Sequence, residues 1–508
     1  MDNIPNYTLR PEWPLTKEQN EVVDFMIHKN KCVNACQTGF GKTYTCLTTL
    51  CHLLLKYSDT HAIILIPQKA IKAFKRELEE KLKIKYNIIS SQDKREQSGA
   101  RIHLITHTML KDNINYITKL KENGYKLLLL VDEAHILEDN KSKFYNYVAN
   151  IRSLFVIVYF ATATPLKNDI EGLYWLIYML DPNIVGDWWR FRSTYCILEK
   201  HMTYRMFGKG KNKQRKRCEV TEIVGYKNLD RLHKILDEYI IIKQKPYNLK
   251  YYYHKTELNE QEQDHYLEAG KGLLRESAKD SFAVRMHDLQ MVVDNINEKY
   301  KVDNKLSSKE QLFLSLVKKK MELKQPSIVY CDYNDVITRL EKLLLISKKQ
   351  TGVRQILKVT GDIPLKERTK VEEQIDNNTV VLITSAGSES VNLQRANSVI
   401  FYDIPFSIKT YIQTIGRVTR IDSKYNEQYI HHLEVSGTID SYKRCLIQIN
   451  GGLIESMFGR METLPLEVGQ VDRNVTYWLK QGLLWCFKQG RLLTEQELEQ
   501  ILKQSKVN

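Results

Sequence analysis

The sequence predicts an α/β protein of two doubly wound parallel-sheet lobes, with a helical insertion between them and a short C-terminal helical tail. Three observations carry this expectation. Short apolar runs alternate with helix-patterned segments between residues 31 and 160, the same alternation resumes between residues 327 and 402, and residues from about 186 to 300 break it. The expected organisation is a first lobe over residues 1–185, an insertion and linker over 186–300, a second lobe over 301–450 and a tail over 451–508. A chain of 508 residues is too long for one ordinary core.

In the first lobe, Leu15 to Gln19 precede an amphipathic segment that reaches about His28. Lys31 to Asn34 can serve as a buried strand, and the mostly apolar Tyr44 to Leu55 reads as a helix. Between them lies Ala35-Cys36-Gln37-Thr38-Gly39-Phe40-Gly41-Lys42-Thr43. Strand, glycine-bearing turn and helix form the context of a phosphate-binding loop. Gly39 and Gly41 let the backbone turn sharply toward an anion, and the N–H groups of Gln37, Thr38, Phe40 and their neighbours can then face it. Lys42 adds a mobile positive charge, and the Thr43 hydroxyl can ligate Mg²⁺. Cys36 stands where the usual pattern has its first glycine. The Gln19 carboxamide can pair with a donor and an acceptor on an adenine edge, or simply open a surface helix.

Ala62 to Pro67, Ile102 to Thr106, Leu127 to Val131 and Phe155 to Phe160 are further strands, with Ile71 to Leu82 a helix after the first of them. Ligands of doubly wound sheets sit at the carboxyl ends of strands. The third of these strands ends in Asp132-Glu133-Ala134-His135. Asp132 can hold Mg²⁺ through water, and Glu133 can orient and deprotonate an attacking water. The fourth feeds Ala161-Thr162-Ala163-Thr164, whose hydroxyls can hydrogen-bond the metal-ligating acid and sense a γ-phosphate.

These tracts resemble a known family. Val131 to His135 with Asn140 and Ser142, and Thr164-Pro165-Leu166-Lys167-Asn168 with Leu173, Trp175, Leu176, Leu180, Asp181 and Pro182, are similar to superfamily 2 helicase-type ATPases, in their Swi/Snf-like branch. The resemblance implies two RecA-like lobes, ATP with Mg²⁺, and a coupling role for His135, Thr162 and Thr164.

In the middle, Arg205 to Arg217 holds Lys209, Lys211, Lys213, Arg215 and Lys216 and no acid, with two glycines. It reads as an exposed loop that either neutralises phosphates or is a solvated charge run. Gly225 to Asn228 reads as a turn before a helix, and Ile242-Lys243 stands where the family often has two arginines. Ser277 to Lys299 reads as helical and Asp303 to Ser308 as a linker.

The second lobe has strands at Ser327 to Cys331, Lys358 to Gly361, Val380 to Thr384 and Ser398 to Tyr402. Ala386 to Gln394 resembles the family motif that touches the nucleic-acid backbone, with Asn392 as its polar contact and Ser390 where many members have glycine. Gln413-Thr414-Ile415-Gly416-Arg417-Val418-Thr419-Arg420 matches Gln-x-x-Gly-Arg-x-x-Arg. On a helix start, Arg417 and Arg420 would share a face, and the resemblance implies that they clamp the γ-phosphate with Gln413 beside them. The resemblance covers roughly residues 15–450.

Composition sets the outer bounds. The formal charge of +15 favours an anionic partner, of which nucleic acid is the commonest, over a solvated lysine-rich surface. Nine cysteines without a Cys-x-x-Cys pair read as reduced thiols rather than a zinc site. Met1 to Arg10 is polar, and no apolar run approaches the roughly 20 residues that span a bilayer, so the expectation is a cytoplasmic protein of a phage or bacterial cytosol or of a host cell interior, with no membrane. The expected function is a DNA-stimulated ATPase that moves on duplex DNA and displaces proteins or remodels branched DNA. The alternatives are a helicase that separates DNA or RNA strands, and a DNA-binding clamp switched by ATP.

Overall fold

The structure is a computed structural model that describes residues 14–504 other than 164–165, 167–169, 208–213, 245–247, 275–281, 301–305, 369, 386–390, 392, 420–422 and 459–474. It divides into two compact units, one of residues 1–192 with 230–245 and one of residues 193–229 with 246–508. The stretch read as an insertion is thus shared between them.

The first unit is built on β1 (Lys31–Asn34), β2 (Thr60–Ile66), β3 (Tyr86–Ile89), β4 (Lys94–Arg95), β5 (Ile102–Thr106), β6 (Lys126–Asp132) and β7 (Phe155–Ala161). A hairpin follows, β8 (Cys196–Phe207) and β9 (Gln214–Tyr226), and then β10 (Ile240–Ile241) returns to the first sheet. The order is β10-β1-β7-β6-β2-β5-β3-β4, parallel throughout except for the β3–β4 pair. Leu127 to Val131 of β6 are each at most 2% exposed, so this strand is buried on both faces and carries no alternation. The flanking helix Lys42–Lys56 packs Leu47, Leu50 and Leu54 onto the same core as Ile64 and Leu130.

The described ends of the basic stretch 205–217 are strand rather than irregular loop. Arg205 lies on β8 and Arg215 to Arg217 on β9, paired antiparallel with Arg205 opposite Lys216. The glycines fall between the arms, and Cys218 to Ile223 supply the β-branched residues that hold a strand. Lys211 and Lys213 lie outside the described residues, as do the side chains of Arg215 and Lys216.

The second unit holds β11 (Asn248–Thr256), β12 (Ser327–Tyr330), β13 (Gln355–Val359), β14 (Thr379–Ile383), β15 (Ser398–Phe401) and β16 (Glu427–Val435), in the parallel order β11-β16-β15-β12-β14-β13. Behind it lies a charged knot. Lys309 Nζ donates to Asp294 at 2.6 Å and to Asp440 at 2.7 Å, with all three side chains at most 1% exposed. The tail helices Val475–Lys488 and Glu495–Gln504 join the core of helix Ile439–Phe458. Gly270 admits the Phe487 ring, which would lie 2.1 Å from a Cβ placed there.

Candidate active site

β1 ends in Asn34, a fully buried side chain that ties the following loop to two helices. Its amide donates to Thr45 Oγ1 at 3.1 Å, and its Oδ1 accepts from the Cys36 N–H at 3.2 Å. Burial pushes the Cys36 thiol up to about 12, so it stays protonated. Gly39 and Gly41 take φ of +84° and +95°, the left-handed region that glycine reaches without strain. Helix Lys42–Lys56 starts there, so its first N–H groups and Thr43 face the turn. The Lys42 ammonium donates to Cys36 O at 2.8 Å and Gln37 O at 3.2 Å, and the Phe40 N–H donates to Gln37 O at 3.1 Å. The Thr38 hydroxyl is shielded from solvent and has no hydrogen-bond partner among the described residues.

Two supports flank the loop. Gln19 forms a capping box with Thr16, and its Nε2 donates to Phe40 O at 2.8 Å. Both halves of its carboxamide are therefore engaged with the protein in this structure. On the other side, Val33, Ala35 and Gln37 donate in turn to the carbonyls of Tyr239, Ile241 and Lys243, at 2.8, 2.9 and 3.0 Å. Residues 239–243 thus extend the sheet edge into the loop. Sequence reasoning missed this support and Asn34. The signal for Asn34 was a polar residue closing a buried strand just before a glycine turn.

Asp132 ends β6, and Glu133 follows in the left-handed region at φ +51°, ψ +45°. The chain turns there, and Glu133 Oε2 lies 3.2 Å from His135 Nδ1. Burial, and then the Glu133 charge, raise the Asp132 carboxyl to about 7, while the Lys42 ammonium draws it down. The Lys42 ammonium, which follows the turn after β1, thus acts on the acid that ends β6. Thr162 is 1% exposed, and its N–H donates to Asn34 O at 3.1 Å, which fastens the end of β7 to the end of β1. Thr164 lies outside the described residues.

In the second unit, Gln413 is buried on helix Ile408–Ile415. Arg417 does not open a helix. The Gly416 N–H caps that helix on the carbonyls of Ile412 and Thr414, and Arg417 follows in the turn. It is 8% exposed; its Nη1 donates to Val391 O at 3.4 Å, and its carbonyl accepts from Leu393 N at 3.3 Å. This joins the arginine motif to the end of the Ala386–Gln394 motif. Arg420 and Asn392 lie outside the described residues.

Comparison with known proteins gives related results for both units. Residues 12–167 match the family described as "Type III restriction enzyme, res subunit", and residues 308–422 match "Helicase conserved C-terminal domain". The chain is 22% identical over 484 residues to a Bacillus subtilis protein named "Uncharacterized ATP-dependent helicase YqhH", covering 92% of this chain and 82% of that protein. It is 23% identical over 462 residues to the chicken "DNA repair and recombination protein RAD54B", covering 80% of this chain but 49% of that protein. Among solved structures, the Sulfolobus solfataricus SWI2/SNF2 ATPase core in complex with dsDNA aligns over 99% of both chains at 17% identity, with a TM-score of 0.40.

Proposed function

We propose, for a chain that is a Swi/Snf-like helicase-type ATPase of superfamily 2, that ATP hydrolysis drives it along duplex DNA. The observation that supports this most directly is that the glycine turn carrying Lys42 follows β1 and the Asp132–Glu133 pair ends β6, with only β7 between these two strands of one parallel sheet. A desolvated acid that the Lys42 and Lys69 ammoniums only partly offset fits a cation ligand, because a further cation there would stabilise the charged form. Bound Mg²⁺ would neutralise the β- and γ-phosphates, with Thr43 and Asp132 as its ligands from this chain.

The residues divide the work. Lys42 exchanges the loop carbonyls of Cys36 and Gln37 for phosphate oxygens. The N–H groups of the Thr38 to Thr43 turn, other than that of Phe40, donate to the same anion. Glu133 takes the proton of the attacking water, and His135 holds the Glu133 carboxylate in place. Gln19 fixes the loop, and the second N–H and second lone pair of its carboxamide read the adenine edge. Gln413, Arg417 and Arg420 act on the transferred phosphate as negative charge develops. Lys211, Lys213, Arg215 and Lys216 of the basic stretch bind DNA phosphates, and Asn392, Thr162 and Thr164 couple DNA to the nucleotide.

The test is ATP hydrolysis with duplex DNA, single-stranded DNA and RNA in parallel, joined to a strand-displacement assay. Duplex should stimulate at least as well as single strands, and the protein should strip the third strand from a triplex while leaving a tailed duplex paired. Efficient unwinding of the tailed duplex with stimulation by single strands alone would make it a strand separator. Binding of DNA with no turnover at all would make it a clamp.

A further inference from the structure

The rim of the second sheet carries a feature that the ATPase motifs do not use. β11 is the edge strand, paired in parallel with β16. Its residues Lys250, Tyr252 and His254 share one face, and the partners in register are Tyr429 for Lys250 and His431 for Tyr252. Tyr252 is 43% exposed, and its ring stacks on His431 with centroids 5.0 Å apart and planes 16° apart. His431 is buried, and its Nδ1 lies 2.9 Å from His254 Nε2. Tyr252 is therefore a ring held flat from behind, with its other side open.

The same face is cationic. The helix Ser308–Glu322 brings Lys320 over the Tyr429 ring at 4.6 Å, with exposed Lys319 beside it. Lys250, in register with Tyr429, is exposed at the same end of the row. Burial and the charge of Lys319 push the Lys320 ammonium down to about 8, and burial, followed by the charges of both lysines, holds His254 below its ordinary value. Glu427, a carboxylate on the neighbouring strand, is already engaged by Asn248 Nδ2 at 2.8 Å and the Tyr429 hydroxyl at 2.9 Å. A cluster of cations short of counter-charge is stabilised by an anion.

We propose that this rim binds an unpaired nucleic-acid strand, with Tyr252 as the stacking face for a base and Lys250 and Lys319 as partners for its phosphates. An exposed ring framed by lysines is how single strands are held without sequence preference, because base faces are open only when unpaired. Exposed lysines on an edge strand also oppose the addition of another protein's strand, which argues against a protein occupant. This site is distinct from the duplex track proposed above and does not depend on it.

The experiment uses the full chain without nucleotide and a fluorescent oligothymidylate read by anisotropy. Tyr252→Ala should weaken binding by about 10-fold, the lower range for a lost base stack, while Tyr252→Phe should bind normally. Lys250→Ala and Lys319→Ala should each flatten the log–log salt dependence by about 0.7. Affinity for a blunt duplex and duplex-stimulated ATP hydrolysis should stay unchanged, which also shows that the variants fold. Unchanged oligothymidylate affinity in Tyr252→Ala would overturn the proposal. So would an equal loss on duplex, or normal strand binding with altered self-association.

Discussion

The Gln19 side chain donates to the Phe40 carbonyl across 2.8 Å, and the next residue, Gly41, leaves no room for a methyl group beside it. A Cβ at Gly41 would lie 2.6 Å from Gln19 Nε2, on a backbone whose φ is already +95°. The helix before β1 therefore sets the shape of the phosphate turn from outside it.

Gly41→Ala should lower ATP affinity more than Gln19→Ala does. The first meets both a clash and a left-handed penalty of about 1–2 kcal/mol. The second leaves a buried carbonyl unpaired at about 1–3 kcal/mol. Titration with a fluorescent ATP analogue checks the order, and equal, unweakened affinities would show that the turn holds its shape without Gln19.

Lys42→Ala should weaken ATP binding, whereas Glu133→Gln should bind ATP and lose turnover by about 10²–10⁴-fold. Binding and single-turnover hydrolysis, measured separately, distinguish the two. Near-normal turnover in Glu133→Gln would remove it as the base.

Arg417→Ala should cost turnover by on the order of 10³-fold or more while sparing ATP affinity. It should also lower the melting temperature, because the guanidinium is buried against the Val391 carbonyl. Turnover like that of the unmutated protein in both Arg417→Ala and Arg420→Ala would rule out an arginine contribution to phosphate transfer.

Lys309→Met should destabilise the second unit by about 3–5 kcal/mol, because it strands two buried carboxylates. Urea denaturation followed by tryptophan fluorescence measures this. A loss below about 1 kcal/mol would mean that the Gln290 amide, which donates to both carboxylates at 2.9 and 3.0 Å, holds them without the ammonium.

Acid should unfold the protein earlier than its carboxylates alone require. Burial depresses His103 and His432 to about 3 and His431 to about 2. A histidine depressed in the folded state leaves the unfolded chain binding more protons as pH falls. Its contribution is present above the ordinary value near 6.5 and is lost progressively below it. Each should add a slope of about 1.4 kcal/mol per pH unit between roughly pH 6 and pH 4. Urea midpoints across that range, compared with His432→Asn, test it; an unchanged slope in the variant would mean that His432 is not held neutral.

How much of this was legible in sequence depended on where apolar side chains met both faces of a sheet. β2, β6, β7, β12 and β14 read as unbroken apolar runs because helices cover them. β11 and β16 did not, since Tyr251 to His254 and His431 to Glu434 place ring and charged side chains in strands whose neighbours satisfy them through stacking and ion pairs. The hairpin was hidden by its charge, which obscured its period of two. In the site, the glycine turn and the acidic pair were visible because chemistry fixes their spacing. Asn34 and residues 239–243 act through hydrogen bonds from distant segments, which local pattern does not reveal.

The last support has a consequence for biosynthesis. The chain leaves the first unit after residue 192, makes the hairpin, and returns for residues 230–245 before leaving again. A nascent chain therefore cannot finish the edge of its first sheet until the segment carrying Lys243 has left the ribosome. Until then, β1 presents unpaired N–H groups to the solvent, the condition under which strands find wrong partners. A fragment cut at residue 192 should be poorly soluble and bind nucleotide weakly, whereas one that adds back residues 230–245 through a short linker should recover both.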